Sequence, residues 1–160
     1  MATTNTIATF HPYHNEPPAA NYATFDLRNG QPILAFSGTT DQEAIFSDIM
    51  PSHYAAGGIT AILHVVFASA TTGTANIECS VERCTTDMDA DSFDTMTDGS
   101  AVPNGTAGIE TKVTIALANN DSIVAGDRYR LKIRRDADGT NGTDDITTAM
   151  EITAVELRET

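Results

Sequence analysis

Residues 58–68, GITAILHVVFA, decide the fold class of this chain. In an extended strand, successive side chains point to opposite sides. The odd-numbered positions are then all apolar: Ile59, Ala61, Leu63, Val65 and Phe67. The even-numbered side is largely apolar as well, with Ile62, Val66 and Ala68 beside Thr60 and His64. A sheet with one side in water does not account for such a strand. We therefore expect a further layer to cover the side that carries Ile62, His64 and Val66.

Four more segments show the alternation of a half-buried strand: residues 75–83, 111–117, 128–134 and 150–157. Gly, Asn, Asp and Thr separate them, and the segment DADGTNGTDD at 136–145 offers Asp-Gly and Asn-Gly pairs for a tight turn. Regularly spaced short strands are typical of sandwiches and barrels. The sequence therefore predicts an all-β, jelly-roll-like sandwich of two sheets with seven or eight strands.

Composition supports a sheet protein of one domain. The 160 residues include 24 Thr but only two Lys, six Leu and two Gln, so the residues that fill exposed helix surfaces are scarce. Acidic residues outnumber basic ones 22 to 9, which gives a net charge of −13. This charge repels nucleic acids and anionic membranes at long range, so we expect neither as a partner.

The first 32 residues differ from the rest of the chain. They hold four of the six prolines, and proline cannot donate to a sheet ladder. They also hold four spaced aromatic residues: Phe10, Tyr13, Tyr22 and Phe25. We expect residues 1–32 to form an extended arm outside the sheets and residues 33–160 to form the sandwich domain. The arm could pack on its own sandwich or on a neighbouring subunit, and the sequence leaves both open.

Basic residues cluster in one strand. Alternation places Arg128, Arg130, Lys132 and Arg134 on one side of it, opposite Tyr129, Leu131 and Ile133. One interpretation is a solvated surface paired with acidic residues of adjacent strands. The other is a docking surface for an acidic partner.

Two acidic segments have spacings that suit calcium. Asp87, Asp89, Asp91 and Asp98 match positions 1, 3, 5 and 12 of an EF-hand loop, but Ser92 stands where that loop needs glycine. The second segment contains Asp136, Asp138, Asp144 and Asp145, which turn formation already explains. We expect exposed acidic loops without a metal, and weak calcium binding is the alternative.

The sequence contains no motif of an enzyme. It has no G-x-S-x-G, no H-E-x-x-H and no glycine-rich phosphate loop, and it offers four His, two Cys and no Trp. We therefore expect neither catalysis nor a cofactor. No apolar stretch is long enough to span a bilayer, and residues 1–16 lack the regions of a signal peptide, so we expect synthesis in the cytoplasm.

Several segments resemble small virion proteins of tailed bacteriophages, of the β-sandwich type that decorates and cements capsids. The resemblance lies in residues 29–34 (NGQPIL), 44–51 (AIFSDIMP), Tyr54, 57–60 (GGIT), 130–137 (RLKIRRDA) and 155–160 (VELRET). It implies a structural protein on the capsid surface, assembled as a homotrimer and bound to the major capsid protein, with no catalytic residues. Two alternatives remain open: a carbohydrate-binding β-sandwich module and a tail- or fibre-associated adhesion protein.

The residues that would contact a partner follow from the arm, the second side of residues 58–68 and the basic strand. They are Phe10, Tyr13, Tyr22, Phe25, Ile62, His64, Val66, Arg128, Arg130, Lys132 and Arg134.

Overall fold

The computed structural model describes residues 5–160, which form two antiparallel sheets packed face to face. Ten strands occur in this range, β1 to β10 in chain order: Thr6–Phe10, Thr24–Arg28, Gln31–Phe36, Gln42–Ile49, Ile59–Phe67, Ala75–Cys84, Thr97–Ala101, Thr111–Ala116, Arg128–Arg135 and Met150–Glu159. The first sheet has the order β2-β3-β10-β5-β8, and β1 also pairs with β10. The second sheet has the order β4-β9-β6-β7. The predicted all-β sandwich is confirmed.

The core lies between the sheets and follows the period of two. From β5 it takes Ile59, Ala61, Leu63, Val65 and Phe67, and from β9 it takes Tyr129, Leu131 and Ile133. None of these side chains is more than 2% exposed. Burying a large apolar side chain contributes roughly 1.5–3 kcal/mol, so this interface between the sheets is the main stabilising element. Cys79 is buried here as a free thiol.

The second side of β5 is partly covered by the chain itself. The backbone N–H of Gly108 donates to the carbonyl of Phe67 at 3.3 Å, which holds the segment before β8 beside the end of β5. Glu110 Oε1 then lies 2.8 Å from His64 Nδ1. Val66 is left only 6% exposed. Ile62 and His64 stay partly exposed, so one chain supplies only part of the expected cover, and the homotrimer stays a prediction.

The N-terminal segment is extended, but it is not outside the sheets. β1 pairs with residues 155–158 of β10, and β2 pairs with β3 throughout its length. Phe10 is 4% exposed, and its ring stacks on Phe46 with centroids 5.1 Å apart. The prediction that this segment supplies no strand is therefore wrong, and β1, β2 and β7 account for the higher strand count. The domain boundary at residue 32 stays a prediction.

Within residues 5–160, no helix is long and apolar enough to cross a membrane. The one described helical element is the 3-10 turn Pro12–His14 that follows β1.

Candidate functional site

An aromatic groove lies beside the N-terminal segment. We use this name for the depression of about 410 Å³ lined by Pro12, Tyr13, Asn15, Pro17, Tyr22, Ala23, Thr24 and Phe25. Three of the four aromatic residues singled out in the sequence meet here. Tyr13 is 63% exposed, Phe25 52% and Tyr22 49%. Large apolar rings that stay exposed together mark a surface suited to a ligand.

The groove is positioned by the edge strand β4. Pro12 ends β1 because proline cannot continue the ladder, and the chain turns through Pro12–His14. It then runs along β4: Glu16 N–H donates to the Ile45 carbonyl at 2.7 Å, and Ala23 N–H donates to the Glu43 carbonyl at 2.8 Å. Both walls of the groove are therefore fixed to the second sheet by backbone hydrogen bonds.

The Tyr13 ring is held in place by two histidines. His11 stacks on it with centroids 5.7 Å apart and an interplanar angle of 18°, and His14 meets it edge-on at 4.7 Å and 74°. The backbone N–H of His11 donates to the ring Nδ1 of His14 at 3.1 Å, which fixes the two histidines relative to each other. A ring braced in this way loses little freedom when a ligand docks on it.

Ile62, His64 and Val66 lie elsewhere, on the outer side of the first sheet. A second depression of about 350 Å³ lies there, lined by Arg28, Asn29, Gln31, Ile33, Val66, Gly108, Glu110 and Thr153. Its charged groups are already paired. Glu110 contacts His64 and accepts from Thr153 at 3.3 Å, while Arg28 donates twice to Glu151 at 2.9 and 3.0 Å. Phe10 is in the core and belongs to neither depression.

The basic residues of β9 occupy the outer side of the second sheet, as the alternation predicts. Arg130 pairs with Glu82 and Arg134 with Glu78, both at 2.5 Å, and Lys132 lies 3.6 Å from Glu43. Phe93 covers part of this surface, with its ring centroid 4.9 Å from the Arg130 guanidinium carbon and 4.5 Å from Lys132 Nζ. This arrangement matches the interpretation of cross-strand pairing, and a docking role for the surface, including the exposed Arg128, stays a prediction.

The EF-hand spacing does not produce a calcium loop. Asp98 lies in β7 opposite Glu78, whereas Asp91 accepts hydrogen bonds from the backbone and hydroxyl of Thr85.

The second acidic segment is organised differently. Asp144 is 1% exposed and pairs with the fully buried Arg135, a contact that the sequence reasoning missed. The alternation that places Leu131 and Ile133 inward also places Arg135 inward, and a buried arginine requires a buried carboxylate.

Comparison with solved structures finds other β-sandwiches of the same fold, among them carbohydrate-binding modules. A xylan-binding module, CBM15, superposes with a TM-score of 0.53 at 13% identity, over 96% of this chain and 97% of the module. The CBM22-1 xylan-binding domain of Paenibacillus barcinonensis Xyn10C superposes with a TM-score of 0.51 at 13% identity, over 98% and 95% of the two chains. No protein-family model matches the sequence. No curated protein matches it significantly.

The prediction of a phage capsid decoration protein is wrong, because the structures similar to this one include carbohydrate-binding modules instead. The segments that carried the resemblance are turns and strands that support a sandwich of this kind. Residues 29–34 contain the turn between β2 and β3, and residues 44–51 lie largely within β4. Their place in the structure is that of turns and strands of the sandwich.

Proposed function

We propose that the protein is a non-catalytic carbohydrate-binding module whose ligand docks in the aromatic groove. The observation that carries the proposal is the convergence of Tyr13, Tyr22 and Phe25, all about half exposed, on one depression of a β-sandwich. The fold it shares with two xylan-binding modules supports the same conclusion.

The groove has the chemistry that a sugar chain needs. The C–H faces of a pyranose ring are apolar and pack against aromatic rings, while the Tyr hydroxyls can exchange hydrogen bonds with sugar hydroxyls. Asn15 and Thr24 add polar groups at the rim. The volume of about 410 Å³ lies in the range of small-ligand sites and can accommodate part of an oligosaccharide.

Charge narrows the class of ligand. The chain carries a net charge of −13, and a field of that sign disfavours polysaccharides rich in carboxylate or sulfate. We therefore propose an uncharged polysaccharide, and xylan is the first to test because the two similar modules bind it.

The test is binding to insoluble xylan and to neutral glucans, followed by calorimetry with xylohexaose. Tyr13→Ala and Tyr22→Ala should each weaken binding by about tenfold or more, equivalent to about 1.4 kcal/mol, because each removes a stacking ring. Tyr22→Phe keeps the ring and should retain most of the affinity.

The matched control is Ile49→Ala, which truncates a 62% exposed apolar residue at the far end of β4. It should bind as the unmodified protein does. Equal binding by Tyr13→Ala, Tyr22→Ala and the unmodified chain would place the ligand elsewhere, and failure to bind any neutral polysaccharide would contradict the proposed function.

A further inference from the structure

Three carboxylates from two loops meet at one end of the second sheet. Asp41 immediately precedes β4, while Asp136 and Asp138 immediately follow β9. One carboxylate oxygen from each lies within 4.8 Å of the other two. Asp41 is partly buried, Asp136 is fully buried and Asp138 is exposed, so the cluster runs from the interior to the surface.

Asp136 has an oxygen that the protein leaves without a partner. Its Oδ2 accepts from the Asn76 side chain at 3.1 Å and from the Asn141 backbone N–H at 2.8 Å. Its Oδ1 is buried and has no hydrogen-bond partner within residues 5–160. Leaving a buried charged oxygen unsatisfied costs free energy, so native structures rarely keep one without a reason.

The neighbouring cations are committed to other carboxylates. Arg134 pairs with Glu78 at 2.5 Å, and Arg135 binds Asp144 through two hydrogen bonds of 2.8 Å. Among the described residues, no Lys or Arg forms an ion pair with Asp41, Asp136 or Asp138. Three carboxylates therefore share a small volume without a paired positive charge.

The loops are shaped so that these carboxylates face each other. Asp41 Oδ1 accepts from the backbone N–H groups of Ala137 and Asp138, at 2.8 and 3.3 Å. Asp138 Oδ1 accepts from the Thr140 backbone N–H at 3.0 Å. Asp41 and Asp138 therefore each have one oxygen held by the backbone of these loops.

We propose that Asp41, Asp136 and Asp138 bind one Ca²⁺ ion. Carboxylate oxygens are hard ligands, and the absence of His or Cys from this described cluster disfavours zinc. Calcium accepts 6–8 oxygen ligands in flexible geometry, so loop carbonyls and water would complete its coordination. Magnesium requires a stricter octahedral shell and is expected to bind more weakly here.

Calcium at this position would tie the start of β4 to the loop that follows β9. These two segments approach each other through Asp41 and flank the neighbouring strands β4 and β9 of the second sheet. An ion that binds the folded chain and not the unfolded one stabilises it in proportion to the logarithm of its concentration. This inference does not depend on the proposed function, and its test requires no carbohydrate.

The test is calorimetric titration of the chelator-treated protein with CaCl₂ and, separately, with MgCl₂, together with thermal melting. We expect one saturable Ca²⁺ site per chain and a rise in Tm of roughly 5–10 °C at 100 times Kd. Asp138→Asn and Asp41→Asn should weaken Ca²⁺ binding at least tenfold. Both side chains are at least partly exposed, and the amide oxygen can keep the hydrogen bonds that each carboxylate accepts, so both variants should fold.

The control is Asp89→Asn, which removes one exposed carboxylate from the other acidic segment and should bind Ca²⁺ as the unmodified chain does. Absence of saturable binding would overturn the proposal. So would equal affinity in Asp138→Asn and the unmodified chain, since that result would indicate diffuse attraction to an acidic protein. Tighter binding of Mg²⁺ than of Ca²⁺ would overturn the choice of ion.

Discussion

The Arg135 guanidinium has no exposed surface and contacts three partners in the loop that follows β9. It binds Asp144 through two hydrogen bonds of 2.8 Å, and it donates to the carbonyls of Thr148, at 2.7 Å, and Ile146. Its position was predictable, because β9 alternates strictly and Arg135 falls on the inner side with Leu131 and Ile133. The identity of its partner was not predictable from the sequence, because residues 136–145 contain four aspartates. The conformation of the folded loop places Asp144, among these four, against Arg135.

At this scale we predict that Arg135→Ala lowers the free energy of unfolding by about 3–5 kcal/mol, because it leaves the buried carboxylate of Asp144 without a counter-charge. Urea unfolding followed by circular dichroism measures the loss. Lys112→Ala removes an exposed cation from β8 and should change stability by less than about 0.5 kcal/mol. A loss below about 1 kcal/mol for Arg135→Ala would show that Asp144 finds other partners.

Among the elements, β1 shows most clearly where sequence patterns stop being informative. Its pairing with β10 is irregular between Thr6 and Ala8, so Ile7 and Ala8 are both buried and the alternation is lost. β7, with the sequence TDGSA, has little apolar pattern to detect.

The aromatic groove was predictable only in part. The rings of Tyr13, Tyr22 and Phe25 could be identified as available for contact, but their convergence depends on hydrogen bonds to β4 that no local pattern encodes.

We predict that Phe10→Ala destabilises the fold by about 3–5 kcal/mol, the usual cost of truncating a buried phenylalanine. Phe10 connects the first sheet to Phe46 of the second, so β1 acts as part of the sandwich and not as a removable arm. Thr9→Ala, on the exposed side of the same strand, is the control and should have a small effect. Chemical denaturation of both variants measures the difference, and similar midpoints would contradict an integral role for β1.

The whole molecule is strongly acidic, with a net charge of −13 and a pI near 4.4. Among the described residues, ion pairs across the whole molecule involve seven of the nine Lys and Arg side chains, so the remaining carboxylates repel one another. Self-repulsion of this kind opposes a compact state. Composition alone predicts this property of the molecule, because it depends on a sum of charges and not on their placement.

Monovalent salt is therefore predicted to stabilise the protein at neutral pH. Raising NaCl from about 0.01 M to about 0.15 M shortens the Debye length from about 30 Å to about 8 Å. Tm should increase by roughly 2–4 °C, the shift that about 1 kcal/mol produces in a domain of this size. Scanning calorimetry with a chelator present measures it without interference from divalent ions.

The same salt increase at a pH near the pI is the control, since the net charge there is close to zero. We expect little or no stabilisation under that condition. A Tm that falls with salt at neutral pH would show that the ion pairs of the second sheet outweigh the general repulsion.

The position of β10 in the first sheet also governs how the chain can fold during translation. β10 follows β1, β3 and β5 in the chain and pairs with all three. Ribosomes add about 5–20 residues per second. Several seconds therefore pass between the synthesis of β5 and that of β10, the strand that lies between β3 and β5 in the sheet. During that interval the inner sides of β3 and β5 expose the apolar residues that later form the core. Until β10 is synthesised, the unpaired edges of β3 and β5 can pair with strands of another chain. Rapid synthesis of the remaining strands, or binding of a chaperone, limits this pairing.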